Sequence, residues 1–138
     1  MGTYYFTQLM NSLPFFLKGL WMTIAVSSIS LAAGTIIGFL LGIVRTRKNR
    51  LLDHIIGLWV DVIRGTPFLV QIFIVFFILP EFGIHLEAFP AALVALTNLG
   101  ACFICEIVAA GINSVPWGQK EAAKASGLTE LQQLTYVV

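Results

Sequence analysis

The feature that most constrains this chain is the stretch from Gly19 to Val44, in which no residue carries a charge. Its roughly 26 residues, at about 1.5 Å each, exceed the ~30 Å hydrocarbon core of a bilayer. One helix can cross there, and within lipid a helix satisfies all of its own backbone polar groups. A secretory signal peptide is the rival reading. Its apolar region would be only about 7 to 15 residues long, and here a basic cluster follows where a small-residue cleavage site would be needed. Composition agrees with the membrane reading, since 58% of the 138 residues are hydrophobic and 11% are charged. A net charge of +1 offers no global attraction for nucleic acid, so any functional charge acts locally.

Ahead of this run, Tyr4 to Lys18 mixes aromatics with Thr7, Gln8, Asn11 and Pro14, a composition suited to a segment lying at the interface. Within the run, Ser30, Gly34, Gly38 and Gly42 recur every four residues and form a smooth stripe for helix packing. Arg45, Arg47, Lys48 and Arg50 follow, and the positive-inside rule puts them in the cytoplasm and the N-terminus outside. From Leu51 to Arg64, Asp53, Gly57, Asp61 and Arg64 fall at helical spacings among apolar residues, which predicts an amphipathic helix. Thr66 before Pro67 either caps a new helix or marks a kink in a continuous one. The apolar run from Gly65 to Leu79 is only about 22 Å long as a helix, so a second span is expected to recruit Leu58 to Arg64. Pro80, Gly83 and Pro90 bracket an outside connection with Glu81, His85 and Glu87, and Ala91 to Ile112 makes a third span.

The expected fold is an all-α membrane protein with about three transmembrane helices, interfacial helices and a cytoplasmic coupling loop. The spans fall at about 19–44, 58–79 and 91–112, and the loop at 113–138. In that loop, the stretch after Pro116, from Trp117 to Leu128, reads as a short alanine-rich helix followed by a stop at Gly127. Small side chains let its backbone sit deep in a partner's groove, with Lys120, Glu121 and Lys124 at the rim. By composition alone an ordinary connecting helix is the favoured reading over a docking helix.

These residues resemble the permease subunits of bacterial ATP-binding-cassette importers, whose cytoplasmic loop carries Glu-Ala-Ala, three residues, then Gly; here it is Glu121, Ala122, Ala123 and Gly127. The chain is more narrowly similar to the polar-amino-acid uptake branch, through Arg64-Gly65-Thr66-Pro67-Phe68-Leu69-Val70-Gln71 and Ser114-Val115-Pro116-Trp117-Gly118-Gln119. Lys18-Gly19, with Trp21 and Thr23, fits the start of that branch's first span. The resemblance implies that Gly118, Gln119, Glu121, Ala122, Ala123, Gly127 and Leu128 dock on an ABC ATPase subunit. It also implies a second permease subunit, an extracytoplasmic solute-binding protein, and a location in the bacterial inner membrane. The chain itself would bind no cofactor, ATP and Mg belonging to the ATPase. Two departures stand out. Ala109 occupies the place of an arginine after Glu106-Ile107-Val108, and the chain stops at Val138, short of about two further spans. It therefore looks truncated, its packing stripe is expected to lack a partner, and independent transport is expected to be weak or absent.

Several polar residues have two readings. Glu106, the sole charge in its span, either contacts substrate or pairs with Arg64 near the inner interface. Arg64 either snorkels or anchors a network, and Gln71 either lines the path or bonds to a neighbouring helix. With Gly65, Thr66 and Pro67 they form a candidate path or structural network. Cys102 and Cys105 have redox or zinc spacing but lie mid-span without companions, which makes them plain thiols. His54 and His85 stand apart, so no metal site is expected. An intramembrane enzyme would need a convergent nucleophile and base, and no such motif is present. The alternatives that remain are a permease for another small polar solute and a membrane protein with only an interaction role.

Overall fold

The computed structural model describes residues 2–47 and 49–137, with side chains from residue 6 onward, so Lys48 of the basic cluster and the terminal Val138 lie outside the described residues. Six α-helices follow in order: α1 Gly2–Arg45, α2 Arg50–Gly65, α3 Phe68–Phe73, α4 Ala88–Ser114, α5 Trp117–Ala125 and α6 Glu130–Tyr136. α3 continues through a π turn at Ile74–Ile78 and a 3-10 turn at Leu79–Phe82. The chain is all-helical among the described residues, with α1 and α4 long and apolar enough to cross a membrane and the α2–α3 pair a third, bent candidate.

α1 runs unbroken through Pro14 for 44 residues, about 66 Å of helix and roughly twice the hydrocarbon core. The separate interfacial segment expected at Tyr4 to Lys18 is thus part of the same rod. Proline removes one internal hydrogen bond, yet the helix continues through it.

The glycine stripe decides how α1 and α4 meet. A Cβ on Gly34 would lie 3.2 Å from the Ala101 amide nitrogen and the Thr97 carbonyl. On Gly38 it would lie 2.5 Å from the Ala101 carbonyl and 2.7 Å from Ile104 Cβ, and on Gly42 2.7 Å from Val108 Cβ. The partner number rises with the stripe, so the two helices run parallel. The expectation of an unpartnered stripe is overturned: α4 fills it, and Ser30 at its head is 4% exposed. Without a hydrophobic drive between helices in lipid, such close backbone approach is what holds a pair together.

α2 begins at Asn49, whose side chain accepts from the backbone amides of Leu51 and Leu52 and so satisfies two of the helix's unpaired donors. Its apolar face packs Ile56 and Val60 against Cys102 and Cys105 of α4, with Leu41, Val44, Trp59 and Ile63 around them. This core sits at the end of the bundle where α1 finishes. At Thr66–Pro67 the chain turns by 106°. Neither expected form is quite met, because Pro67 stands just before α3 while Thr66 closes α2. Segment 58–79 is therefore an elbow rather than a straight span.

Gly83 takes the left-handed conformation (φ +83°) after the 3-10 turn. Pro90 does not bracket the connection but lies in the first turn of α4, where proline is tolerated. The 113–138 stretch holds two helices, not one. α6 opens with a capping box in which Thr129 and Gln132 exchange hydrogen bonds.

Candidate functional site

The end of the bundle shared by the α1 C-terminus, α2 and α4 carries a charge cluster. Arg45 Nη1 donates to Glu106 Oε2 at 2.6 Å and Arg45 Nε donates to Asp53 Oδ1 at 3.0 Å. Arg64 Nη1 lies 3.6 Å from the same Glu106 oxygen, and its guanidinium lies 5.3 Å from the centre of the Phe103 ring, within cation–π range. Gly57 makes room for this, since a Cβ there would come 3.3 Å from Arg45 Nη2. The cluster joins α1, both ends of α2, and α4. Arg64 was an anticipated partner of Glu106. Arg45, read from sequence only as part of a basic cluster, is the closer one. Ala109 is buried beside them and lines a polar cleft with Arg47, Asn113 and Ala110, so the guanidinium that reaches Glu106 comes from α1.

At the elbow, Gln71 is 5% exposed. Its Nε2 donates to the carbonyls of Ile63 at 2.7 Å and Thr66 at 3.0 Å. Both carbonyls lie at the C-terminal end of α2, where a helix leaves acceptors short of partners; that of Ile63 also takes the backbone amide of the cap residue Thr66. The Thr66 hydroxyl donates back to Val62 in the same turn. Gln71 thus ties α3 to the end of α2, and of its two sequence readings the hydrogen bond is what the structure contains. Its Oε1 is buried without a partner among the described residues. Gly65 and Pro67 are exposed at the bend, and a Cβ on Gly65 would meet nothing within 4 Å.

The short helix α5 lies beyond the end of α4, on the same side as Arg45 and Arg47. Gly118, Glu121, Ala122, Lys124 and Ala125 line a shallow concavity, and Gln119 and Trp117 are exposed beside it. Ala123 departs from expectation. It is 6% exposed and turned toward its own chain, so it cannot insert into a partner's groove. It belongs instead to the helix stop. Gly127 (φ +79°) sends its amide to the Lys124 carbonyl, and Leu128 sends its amide to the Ala123 carbonyl, the paired bonds of a left-handed glycine terminus. Lys120 also turns inward, its Nζ donating to the Ile112 carbonyl at 2.7 Å, and is not a rim charge.

A third feature escaped the sequence reading. Thr97 and Asn98 of α4 open onto an apolar groove of about 310 Å³ with Ile37, Trp59, Leu93, Val94 and Ala101. The Asn98 amide has no side-chain hydrogen-bond partner among the described residues, an expensive state in lipid. An asparagine in an otherwise apolar span is the available sequence signal. Cys102 and Cys105 are free and fully buried. Among the described residues His54 bonds to the Arg50 carbonyl alone, and no His, Cys, Asp and Glu grouping among them could hold a metal ion.

Two long apolar helices in parallel, a bent third segment and a polar helix displayed at one end define the class: an all-helical, multi-pass membrane component. Within it, the chain belongs to the family described as binding-protein-dependent transport system inner membrane component, which matches residues 34–138. It is a family of membrane transport subunits rather than enzymes. The chain is 39% identical over 126 residues to the probable glutamine ABC transporter permease protein GlnP of Bacillus subtilis (strain 168), covering 91% of this chain and 58% of that protein. It is 38% identical over 126 residues to the L-cystine transport system permease protein TcyB of the same organism, covering 91% and 53%. A crystal structure of an amino acid ABC transporter with histidines superposes with a TM-score of 0.83 at 30% identity, covering 95% of this chain and 61% of that one. The chain thus spans less than two thirds of the length of these relatives.

Proposed function

We propose that the protein is the permease of an ATP-driven import system for a polar amino acid, and that α5 is the surface on which the system's ABC ATPase docks. The exposed concavity of Gly118, Glu121, Ala122 and Lys124 carries this reading. It lies at the bundle end that bears Arg45, Arg47 and Arg50, the end that the positive-inside rule assigns to the cytoplasm. The N-terminus is then outside. Gln119 extends the contact face, while Ala123, Gly127 and Leu128 shape it from behind. ATP and Mg belong to the ATPase, and closure of paired ATPase subunits moves α5 as a body and switches the bundle between outward and inward access. A second permease subunit, identical or different, completes the path, and an extracytoplasmic binding protein delivers the solute.

The substrate class rests on the relatives, whose names specify glutamine and L-cystine transport. In this reading Arg64, Gly65, Thr66, Pro67, Gln71 and Glu106 hold the frame, and Thr97 and Asn98 present polar groups to the path. The test is reconstitution of the protein with its ATPase and binding protein in proteoliposomes, with labelled glutamine, cystine and arginine as probes. Uptake that requires ATP is expected for at least one. Ala122→Trp is expected to release the ATPase while leaving the permease monodisperse in detergent. Undiminished ATPase retention in Ala122→Trp would remove α5 as the docking surface, and uptake of none of the amino acids by an intact complex would overturn the substrate class.

A further inference from the structure

α4 ends at Ser114 and α5 begins at Trp117, so only Val115 and Pro116 join them, both extended (ψ 123° and 136°). A two-residue extended link with a fixed proline φ still leaves several soft dihedrals through which α5 can swivel. Something else must set its angle. The last carbonyls of α4 are acceptors without helical partners. That of Gly111 takes the Ser114 hydroxyl at 2.7 Å, a bond internal to α4. That of Ile112 takes the half-buried Lys120 ammonium at 2.7 Å, eight residues along and on the other helix. No other side-chain hydrogen bond or ion pair between α5 and α4 is present among the described residues. The bond is charge-assisted, and a cation at a helix C-terminus is further favoured by the helix dipole.

We infer that Lys120 is a positioning residue, a strut that fixes the angle between α5 and α4 so that displacement of α5 reaches the membrane bundle as a rigid-body movement. The inference rests on the proposed docking role of α5 and adds to it the part that carries the motion onward. α4 is well placed to receive it, since it also bears Glu106, which holds Arg45 and Arg64. A lysine at the docking rim would contribute contact energy. A lysine bonded to Ile112 contributes stiffness, and the two roles separate by experiment.

The experiment uses the assembled complex in proteoliposomes and compares the wild type with Lys120→Met, which keeps the apolar stem and loses the ammonium, and with Lys120→Arg, which keeps the cation. Lys120→Met is expected to retain the ATPase but to lower solute uptake per ATP hydrolysed by about tenfold, the scale of a typical coupling free energy. Lys120→Arg is expected to restore most of it. A second measurement does not depend on transport: spin labels at Ala110→Cys and Ser126→Cys, both exposed, should report a narrow distance distribution that broadens when Lys120→Met is added. Unchanged uptake per ATP, an unchanged distance distribution, or loss of the ATPase from the Lys120→Met complex would each overturn the strut. Failure of the proposed function is separately visible, because it would appear in the wild-type complex as absent uptake.

Discussion

Glu106 meets the cost of a carboxylate on an apolar helix by drawing one guanidinium from α1 and another from α2 onto a single oxygen. Side-chain exposures of 21% for Arg45 and 37% for Glu106 leave the pair within reach of water, so screening holds its worth to about 1–2 kcal/mol, below the ~3–5 kcal/mol lost when a fully buried pair is broken. An oxygen already held by two cations is poorly placed to recruit a substrate's ammonium group as well. Glu106→Gln is therefore expected to lower the unfolding midpoint in detergent by a few degrees, corresponding to about 1–2 kcal/mol. Apparent substrate affinity should stay within about twofold of wild type, a difference of under 1 kcal/mol. Thermal melts and uptake titrations check this together. A large loss of affinity at unchanged stability would return Glu106 to the substrate.

The helix pair α1 and α4 shows how backbone proximity replaces side-chain bulk. The same substitution has opposite consequences at two glycines. Gly38→Ala puts a methyl 2.5 Å from the Ala101 carbonyl, which forces the helices apart at a cost of about 1–3 kcal/mol. Gly111→Ala meets nothing within 4 Å and should gain about 0.5–1 kcal/mol from helix propensity. Fluorescence-detected thermal stability of the two variants is expected to move in opposite directions, and equal shifts would remove the seam from its role. The stripe itself was legible, because glycines at intervals of four must share one helical face. Its partner was not. The expected topology already makes the first and third spans parallel, but pairing Gly38 with Ala101 also requires the faces and register at which they meet, which are set by everything folded between them. The elbow was half-legible in the same way. Thr66-Pro67 announces a break, but not its 106° turn, at which Gln71 reaches back to the Ile63 and Thr66 carbonyls.

Across the whole molecule, local signals fixed what each segment is and long-range packing fixed what it does. Apolar runs located α1 and α4, the polar and apolar spacing located α2, and the Glu-Ala-Ala motif located α5. The inward turn of Ala123 and Lys120 was hidden, because an isolated helix does not reveal which face meets its own chain. The Thr129–Gln132 capping box, by contrast, was written in the sequence as a Thr-x-x-Gln pattern and marks α6. Parallel α1 and α4 also impose a global constraint. If both cross the membrane, their C-terminal ends share one side, so Arg45, Arg47 and α5 stand together, while Glu81 in the α3–α4 connection stands opposite. With the basic cluster inside, as proposed, a cysteine added at Glu81→Cys should react with a membrane-impermeant maleimide on intact cells, and one added at Ser126→Cys only after the membrane is opened. Cys102 and Cys105, both 0% exposed, should stay silent in either state and leave each reporter unambiguous. Labelling of Ser126→Cys on intact cells would invert the topology and remove α5 from the compartment where ATP is available.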